Sequence, residues 1–448
     1  MSQKMTYVFL FACPTYLESR TEREKCYCCS CGGWEQDCIL FSLVKMASSV
    51  LRGPAWLPKV IKDFSTNNYR IEYGGFLSNH ILHGIVAIAH LGGSEERARE
   101  YANWYVKHRS LEQPMKDDPA RSGFEEVVKE RPNFGDLMDR YKDSVASEGS
   151  IGAAIKKEFP WLGKGIVSSL FHGLIHLGYG AGCGSDEMML EGLSYLHWAY
   201  EPLRYSSDKY EVDVKHFGKG NADIIGVLLN LQKDTALMEK ISAFTADRPT
   251  HGLLQSRYLG IIKELPDYFV SLANSVKLPV FFDPDNYTQE SVEKLALWLV
   301  IQVLTVYCKS ERENDFVLLH GVTASWGMRH VVPYLSPADG VVAIRDLLAL
   351  VLATYVVERC SPLSRDLMVL DKPLDLSTWE EYNKKTLSKR ADEHVYKIVQ
   401  VCYDMWKDDD LKGEPYDSLF ATAVHTVLGE KFRFVGFDAD GTFPTFFP

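Results

Sequence analysis

Apolar residues recur at the spacing of an α-helix along most of the chain after residue 46, and this pattern is the strongest constraint on what the chain can fold into. Residues three and four positions apart share one face of a helix, whereas a strand would need strict alternation of apolar and polar residues. In the run 76–93, FLSNHILHGIVAIAHLGG, the helical pattern stops at a pair of glycines, which is typical of a helix end. The spacing therefore predicts an all-α protein.

Residues suited to cap a helix stand at the start of several of these segments. A Ser or Thr oxygen can accept a hydrogen bond from a free N–H group in the first turn. Only the run 432–448, FRFVGFDADGTFPTFFP, has the pattern of strand and turn. We expect a single large multi-helix domain over residues 46–448, with a helix-bundle core and a short irregular or β C-terminal tail. The predicted caps are Ser94, Ser185, Thr288 in a capping box, and Ser336 followed by Pro337.

The first 45 residues differ in composition from the rest. Six of the ten cysteines lie before residue 40, four of them in the run CYCCSCGG. Its overlapping Cys-x-x-Cys spacings could form a zinc site, but separate paired knuckles are the usual arrangement. Residues 6–13 faintly resemble the apolar core of a signal peptide, yet no small-residue cleavage site follows. We expect an unstructured or misassigned N-terminal extension, with Met46 as the natural start.

Charge and apolar content argue against two broad classes of partner. The net charge is −11, whereas a nucleic-acid surface needs an excess of basic residues. The longest apolar run, 295–308, contains Gln302 and is typical of a buried core helix rather than a membrane span. The four other cysteines stand singly on apolar segments, which is typical of reduced residues in a cytoplasmic protein. We expect neither nucleic acid nor a membrane as partner, and the oligomeric state stays open.

Four short motifs place an imidazole on an apolar helix. Because residues three or four apart share a face, His80 pairs with His83, and His172 pairs with His176. A single histidine on such a face is usually a hydrogen-bonded core residue, whereas several separate buried imidazoles would each need a partner. Convergence on one ion of iron, copper, zinc or nickel would satisfy them together. The motifs are NHILH (79–83), HGLIH (172–176), HGVT (320–323) and DEHVYK (392–397).

Lys397 lies one turn after His394 and admits two interpretations. A lysine on a helix usually extends its ammonium group to solvent. An ammonium would be repelled by a divalent cation, but a lysine carboxylated by CO2 would offer an anionic oxygen as a ligand. Asn79 and Asp392 are candidates to orient neighbouring rings through hydrogen bonds.

At these motifs the chain resembles the questin oxidase-like family. The resemblance rests on GGFLSNHILHGIVAIAHLGGS (74–94), LFHGLIHLGYG (170–180), LLHGVTASWGMR (318–329) and DEHVYKIV (392–399). It implies oxygen insertion into, or cleavage of, a ring of a polycyclic aromatic ketone or quinone, as in Baeyer–Villiger-type opening of anthraquinones. It also implies O2 as co-substrate and NADPH as reductant, although the chain has no dinucleotide fingerprint. One departure is GYGAGCGSD, where the family has an acidic, aromatic continuation that would form part of the substrate wall.

The motifs and the resemblance together predict a centre of Fe(II), or of another divalent metal, that uses O2. Each of the first two motifs offers two histidines, and the one that does not bind the metal would position water or a substrate phenol. The assignment places His80, His172, His320, His394 and Lys397 at the metal. The catalytic residues would be His83, His176 and Thr323, and the walls of a flat pocket would come from Tyr179, Trp198 and Trp326.

Two other functions fit the same residues. Zinc held by the same histidines would activate water instead of O2, which would make the protein a hydrolase. Alternatively, the histidines could be structural residues of a helical interaction protein without catalytic activity. Metal content and O2 consumption distinguish these possibilities.

Overall fold

The structure is a computed structural model, and it describes residues 53–74, 77–114, 131–205, 214–246, 253–388, 392–429 and 434–435. Within these ranges the chain forms 17 α-helices and one antiparallel sheet of two short strands. The predicted all-α fold is therefore confirmed. The cysteine-rich run and the expected extension over residues 1–45 lie outside the described residues.

The helices fall into an N-terminal group that ends before residue 200 and a longer C-terminal group. The first group is α1 Leu57–Phe64, α2 Ile81–His90, α3 Glu95–Arg109, α4 Phe134–Glu148, α5 Ile151–Leu162, α6 His172–Cys183 and α7 Asp186–Trp198. The second is α8 Ile224–Leu231, α9 Thr235–Ala243, α10 Leu253–Glu264, α11 Pro266–Asn274, α12 Gln289–Lys309, α13 Phe316–Val331, α14 Pro337–Val357, α15 Leu376–Ser388, α16 Glu393–Trp406 and α17 Tyr416–Leu428. Strands β1 Glu72–Tyr73 and β2 Leu77–Ser78 precede α2. Short 3-10 turns cover Gly163–Gly165, Val214–His216, Val332–Tyr334 and Asp409–Leu411.

The predicted caps lie where the sequence placed them. The hydroxyl of Ser94 accepts the N–H of Arg97, and the hydroxyl of Ser185 accepts the N–H of Met188. Thr288 begins α12 with a full capping box, and Ser336 begins α14 with a proline in the first turn. Each cap satisfies an N–H group that the first helical turn leaves free.

Helices α12 and α14 form the apolar centre of the C-terminal group. Both are long and apolar enough to cross a membrane by length and composition, but 78% and 94% of their most apolar windows are buried inside the molecule. Burial of this extent is typical of the core helices of a globular protein. Residues 295–308, predicted to form a buried core helix, lie within α12.

Two glycines bring α6 and α13 into backbone contact. A Cβ atom on Gly178 would lie 2.2 Å from the Cα atom of Gly327, a separation that atoms of a folded protein do not adopt. Glycine at both positions therefore permits an approach that larger residues would prevent. The contact fixes the helix that begins at His172 against the helix that carries His320.

The helix at the first histidine motif begins later than predicted, and a left-handed turn precedes the helix at the second. Helix α2 begins at Ile81 rather than at residue 76, because Leu77–Ser78 pairs with Glu72–Tyr73 as a strand. Helix α6 begins at His172 after three consecutive residues of positive φ, Ser169, Leu170 and Phe171 (48°, 54° and 67°). The left-handed turn ends one helical segment and sets the direction of the next.

Little of the predicted C-terminal tail falls within the described residues. Val435 forms a parallel bridge with Asp315, directly before α13, and Phe434 is buried. The rest of the run 432–448 lies outside the described part of the chain. The prediction of strand and turn there is tested only at this one bridge.

Candidate metal centre

Four buried histidines from four separate helical segments meet at one point. His80 directly precedes α2, His172 is the first residue of α6, His320 lies in the second turn of α13, and His394 lies in the first turn of α16. The Nε2 atom of His172 lies 2.7 Å from that of His80 and 3.2 Å from that of His320. The Nε2 atoms of His320 and His394 are 3.3 Å apart, and one nitrogen from each of the four rings lies within 4.8 Å of the others.

The other ring nitrogen of each histidine is bonded to an oxygen that can only accept. Nδ1 of His80 lies 2.6 Å from the carbonyl oxygen of Ser78, and Nδ1 of His320 lies 2.6 Å from that of Phe316. Nδ1 of His172 contacts the carbonyl oxygen of Ser169 in the left-handed turn. Nδ1 of His394 lies 2.6 Å from Oδ1 of Asp392. Because carbonyl and carboxylate oxygens accept hydrogen bonds, each Nδ1 carries the proton and each Nε2 of the neutral ring is bare.

Four bare nitrogens that face one another need a cation. Two lone pairs 2.7 Å apart repel when no hydrogen lies between them, and hydrogen bonds cannot satisfy all four together. Nitrogens that share one ion at about 2.0–2.1 Å lie roughly 3–4 Å from one another, which resembles the spacing here. The donor set therefore fits a divalent metal that accepts imidazole, such as iron, zinc, copper or nickel.

Burial keeps these rings in the form that binds metal. It lowers the pKa of all four histidines well below the usual value, and the charge of Lys397 acts in the same direction on each. Neighbouring imidazoles add to this effect, most strongly His172 on the pKa of His80 and of His320. A metal binds the neutral ring, so the site does not have to displace ring protons at neutral pH.

An acidic pair and an arginine lie behind two of the rings. Asp392 accepts the backbone N–H of His394 at 3.0 Å as well as its ring, and Arg109 donates to the second carboxylate oxygen at 3.1 Å. Oε1 of Glu393 lies 3.7 Å from Nδ1 of both His80 and His394. Burial, followed by the charge of Asp392, raises the pKa of Glu393 to about 8. The sequence reasoning missed Glu393, although a charged residue beside a buried histidine is a usable signal.

Lys397 is fully buried, one turn beyond His394. Its side chain is 0% exposed, and its Nζ atom has no hydrogen-bond partner among the described residues. Burial lowers the pKa of the amine to about 7, although the charges of Glu393 and Asp392 oppose this shift. An ammonium group extended into solvent, one of the two interpretations of the sequence, is therefore wrong.

A second histidine pair lies beside the centre. Nε2 of His83 is 3.1 Å from Nδ1 of His176, and the rings of His83 and His80 are 5.4 Å apart between centroids. Nε2 of His176 is 2.9 Å from a carboxylate oxygen of Glu191, whose other oxygen accepts the backbone N–H and the hydroxyl of Thr66. Glu191 and Thr66 were not among the predicted residues. An isolated charge within the apolar part of the run 186–198 is the sequence signal that could have identified Glu191.

Of the other residues predicted for the site, Thr323 and Tyr179 contact its histidines, whereas Trp198 lies elsewhere. Thr323 is buried on α13, and its hydroxyl donates to the carbonyl oxygen of His320 at 3.2 Å. Tyr179 packs against His83 and Trp326, with centroid distances of 5.1 and 4.6 Å. Trp198 does not join them, because it belongs to a separate apolar cluster with residues such as Tyr195.

Asn79 does not orient a ring, contrary to the sequence-based expectation. Its amide oxygen accepts the N–H of Ile81, and its amide nitrogen donates to the carbonyl oxygen of Arg70. The carbonyl of Ser78 takes the expected role at His80. The short strand pairing explains the difference, because it turns the Ser78 carbonyl toward the ring. Asp392 does contact a neighbouring ring, that of His394.

One comparison with known proteins bears on this site. A family model described as Questin oxidase-like matches residues 77–402, which is most of the chain and includes every residue of the histidine centre and Lys397. No curated protein matches the chain.

Proposed function

Because the chain belongs to the questin oxidase-like family, which supports an oxidoreductase role, we propose that it uses O2 to insert oxygen into, or to cleave, a ring of a polycyclic aromatic ketone or quinone. We propose that the reaction takes place at a non-haem ferrous centre. The observation that carries the metal is the convergence of four bare Nε2 atoms with no proton available between them. The family carries the class of reaction.

The ferrous ion would be held by the four converging imidazoles. When bound, it would supply the electrons and the open coordination position that O2 activation requires. The protein's own contribution is to fix the rings, because each Nδ1–H is held by a carbonyl or carboxylate oxygen. Burial of the centre keeps bulk water away from the reacting groups. The ligands are His80, His172, His320 and His394.

The neighbouring residues would handle the organic substrate. A phenol or hydroxyquinone has an acidic O–H group, and His83 lies beside the centre. Its buried Nδ1 atom has no hydrogen-bond partner among the described residues and can accept such a proton. His176 would support His83 from behind. Tyr179 lies next to His83, and Trp326 packs against Tyr179, so the two rings offer flat apolar surface that suits a polycyclic ring system. Thr323, one turn after His320, would assist through its hydroxyl oxygen.

We also propose that Lys397 is carboxylated and acts as a fifth ligand. A neutral amine adds to CO2, forming an N–C bond and releasing one proton, to give a carbamate with an anionic oxygen. Burial lowers the pKa of this amine to about 7, so a large neutral fraction exists at physiological pH. Its Nζ atom is buried and has no hydrogen-bond partner among the described residues, and a carbamate bound to a metal would remove that deficit.

Carboxylation can be measured by 13C NMR of zinc-loaded protein equilibrated with 13C-bicarbonate. We expect a carbamate resonance that is absent from Lys397→Arg and present in Lys294→Arg. Lys294 is a suitable control, because it is also buried but is paired with Glu290 at 2.9 Å. A spectrum without a carbamate resonance, or one that survives in Lys397→Arg, would contradict the proposal.

The decisive test of the function is metal content and O2 uptake of protein purified without a metal-affinity tag. We expect about one iron per chain and O2 uptake on addition of a hydroxyanthraquinone. His320→Ala should lose both, whereas His108→Ala, an exposed histidine on α3, should retain both. Bound zinc without O2 uptake would instead favour the hydrolase. Absence of any metal after anaerobic loading with ferrous ion would overturn the proposed centre.

Reductant and location complete the proposal. NADPH, which the family resemblance implies as reductant, would act through a separate reductase or would not be required at all. We propose a cytoplasmic location, with neither nucleic acid nor membrane as a partner. Omitting NADPH from the O2-uptake assay tests whether the chain itself needs it.

A further inference from the structure

Glu191 is a buried carboxylate for which the proposed chemistry has no role yet. It lies on α7 with 0% exposure. Its Oε1 atom accepts the backbone N–H and the hydroxyl of Thr66, both at 2.6 Å, and its Oε2 atom lies 2.9 Å from Nε2 of His176. The N–H and hydroxyl groups of Thr66 are donors whatever the tautomer of His176, and hydrogen bonds of this kind favour the charged form of a carboxylate.

The carboxylate determines where the protons sit on the two histidines that follow. An ionised carboxylate only accepts, so Nε2 of His176 must carry a proton. In the neutral ring Nδ1 of His176 is then bare and accepts the Nε2–H group of His83 at 3.1 Å. Nδ1 of His83 is consequently bare as well, and it is buried without a partner among the described residues. The hydrogen bonds all run in one direction, from His83 through His176 to Glu191.

We propose that Glu191 is a positioning residue that fixes the tautomers of His176 and His83, so that His83 presents a bare Nδ1 atom beside the centre. The role resembles that of a carboxylate that orients a catalytic histidine, extended here by one further imidazole. The catalytic consequence rests on the proposed function. A substrate phenol would transfer its proton to Nδ1 of His83, the Nε2 proton of His83 would pass to Nδ1 of His176, and the resulting imidazolium would remain bonded to Glu191.

A purely structural role for Glu191 makes a different prediction. The same hydrogen bonds connect α6 and α7 to the loop after α1, and their loss would lower stability whatever the tautomers. The isosteric change Glu191→Gln separates the two roles. The backbone N–H of Thr66 is an obligate donor, so the amide oxygen of the glutamine should face Thr66 and the amide NH2 group should face His176. His176 must then accept at Nε2, and both imidazoles should move their proton to Nδ1.

The measurement is 15N NMR of labelled histidine side chains, in zinc-loaded protein and again without metal, with assignments from single variants. In the unmodified chain we expect His83 and His176 to carry their protons on Nε2. In Glu191→Gln we expect both protons on Nδ1. Finding Nδ1–H on either histidine in the unmodified chain, or no change in Glu191→Gln, would overturn the proposal.

Two further variants keep the test decisive. Glu158→Gln also alters a buried glutamate that accepts side-chain hydrogen bonds, from Trp161 and Ser144, and it should leave both tautomers unchanged. Thr66→Val serves if Glu191→Gln does not fold, because it removes one donor and keeps the carboxylate. We expect unchanged tautomers in Thr66→Val and a downfield shift of the His176 Nε2 proton, since fewer donors strengthen the remaining bond. An unshifted proton would contradict the proposal.

The enzymatic test has its own readout. With iron content matched, Glu191→Gln should lower kcat by about 10²-fold with little change in KM, because the groups that bind substrate remain. Glu158→Gln should leave kcat unchanged. An unchanged kcat in Glu191→Gln would remove the catalytic consequence, whereas the tautomers are measured without O2 or substrate. Failure of the tautomer assignment and failure of the proposed oxidation are therefore distinguishable.

Discussion

The histidine centre and the His83–His176–Glu191 chain both draw histidines from α6 and from the start of α2, yet these histidines are hydrogen-bonded in opposite ways. At the centre, each ring donates through Nδ1 to a fixed oxygen and turns a bare Nε2 atom toward the other rings. In the His83–His176–Glu191 chain, each ring is hydrogen-bonded to the next residue, and the series ends at the carboxylate of Glu191. Helix α6 supplies one histidine to each arrangement, His172 to the centre and His176 to the chain.

In the proposed roles, the hydrogen-bond partners of a histidine, rather than its spacing along the helix, distinguish a metal ligand from a proton carrier. His172 and His176 lie one helical turn apart and are both buried. One nitrogen of each ring faces another histidine. The other nitrogen contacts a backbone carbonyl in His172 and the carboxylate of Glu191 in His176. A carbonyl leaves a lone pair for a metal, whereas a side-chain network can take up and pass on a proton.

The largest effect should come from replacing each histidine of α6 in turn. We expect His172→Ala to lose bound iron and, with it, activity. His176→Ala should retain iron while kcat falls about 10²-fold, because only proton transfer is impaired. Iron analysis and steady-state kinetics measure the two effects. Loss of iron in both variants would contradict the separate roles proposed for the histidine centre and the His83–His176–Glu191 chain.

A methyl group at the α6–α13 contact should disturb the histidine centre more than the His83–His176–Glu191 chain. In Gly178→Ala the new Cβ atom would meet the backbone of Gly327, so the helices must separate at a cost of about 1–3 kcal/mol in the free energy of unfolding. The separation moves His172 away from His320, and iron content should fall. His83 and His176 should keep their tautomers, since α13 carries neither.

The matched control for this change is Gly226→Ala in the first turn of α8. A Cβ atom there would approach only side-chain atoms at 3.3 Å. Chemical denaturation and iron analysis should place this variant close to the unmodified protein. If Gly178→Ala loses iron and also changes the tautomers of His83 and His176, the two arrangements are not separable.

Lowering the pH should reduce the stability of the metal-free protein, because folding lowers the pKa of His320. Burial, then His172, His394 and Lys397, lowers the pKa of His320 well below 6.5. The unfolded chain therefore binds a proton at this residue as the pH falls below 6.5, while the folded chain does not, and stability is lost in that range. The loss is about 1.4 kcal/mol per pH unit for one histidine.

The metal-free protein and its His320→Gln variant should be compared by denaturation between pH 7.5 and 5.5. Carboxyl groups that titrate in the same range contribute to both proteins, so the difference isolates His320. We expect the unmodified protein to lose stability relative to the variant on acidification. Parallel pH dependences would show that His320 titrates in the folded protein as it does in the unfolded chain.

The smallest effect should follow from Thr323→Val. The hydroxyl donates to a carbonyl of its own helix, so its removal should change the free energy of unfolding by less than about 1 kcal/mol. If the hydroxyl oxygen contacts substrate, kcat should still fall by about tenfold with iron unchanged. Thr305→Val is the control, because Thr305 on α12 donates to the carbonyl of Ile301 in the same way. Equal kinetics in both variants would remove Thr323 from the catalytic residues.

Local rules predicted the helices and their caps because those features depend on neighbouring residues. The caps at Ser94, Thr288 and Ser336 need only a side-chain oxygen and an N–H group three positions later. The start of α2 was wrong because the strand Leu77–Ser78 is stabilised by a pairing with Glu72–Tyr73, which helical spacing does not register. The left-handed turn before His172 contains no glycine, so no residue in the sequence indicates it.

For the candidate site, helical spacing brought the right histidines together but could not separate their roles. Spacing placed His80 and His83 on one helix face, whereas the structure places His80 before the helix. Their roles depend on hydrogen-bond partners, and the partner of Glu191 at Thr66 lies 125 positions away in the chain. A distance of that kind follows from the packing of α1, α6 and α7, and periodicity holds no information about it.

The wide separation of the four histidines along the chain has a consequence for how the protein acquires its metal. His80 and His394 lie near opposite ends of the described residues, and no two of the four come from the same helix. A growing polypeptide cannot assemble the donor set until residue 394 has left the ribosome and its helix has packed against the others. The proposed centre should therefore capture its metal only after the helix that begins at Glu393 has packed against the others, and its occupancy would then report that these segments have folded together.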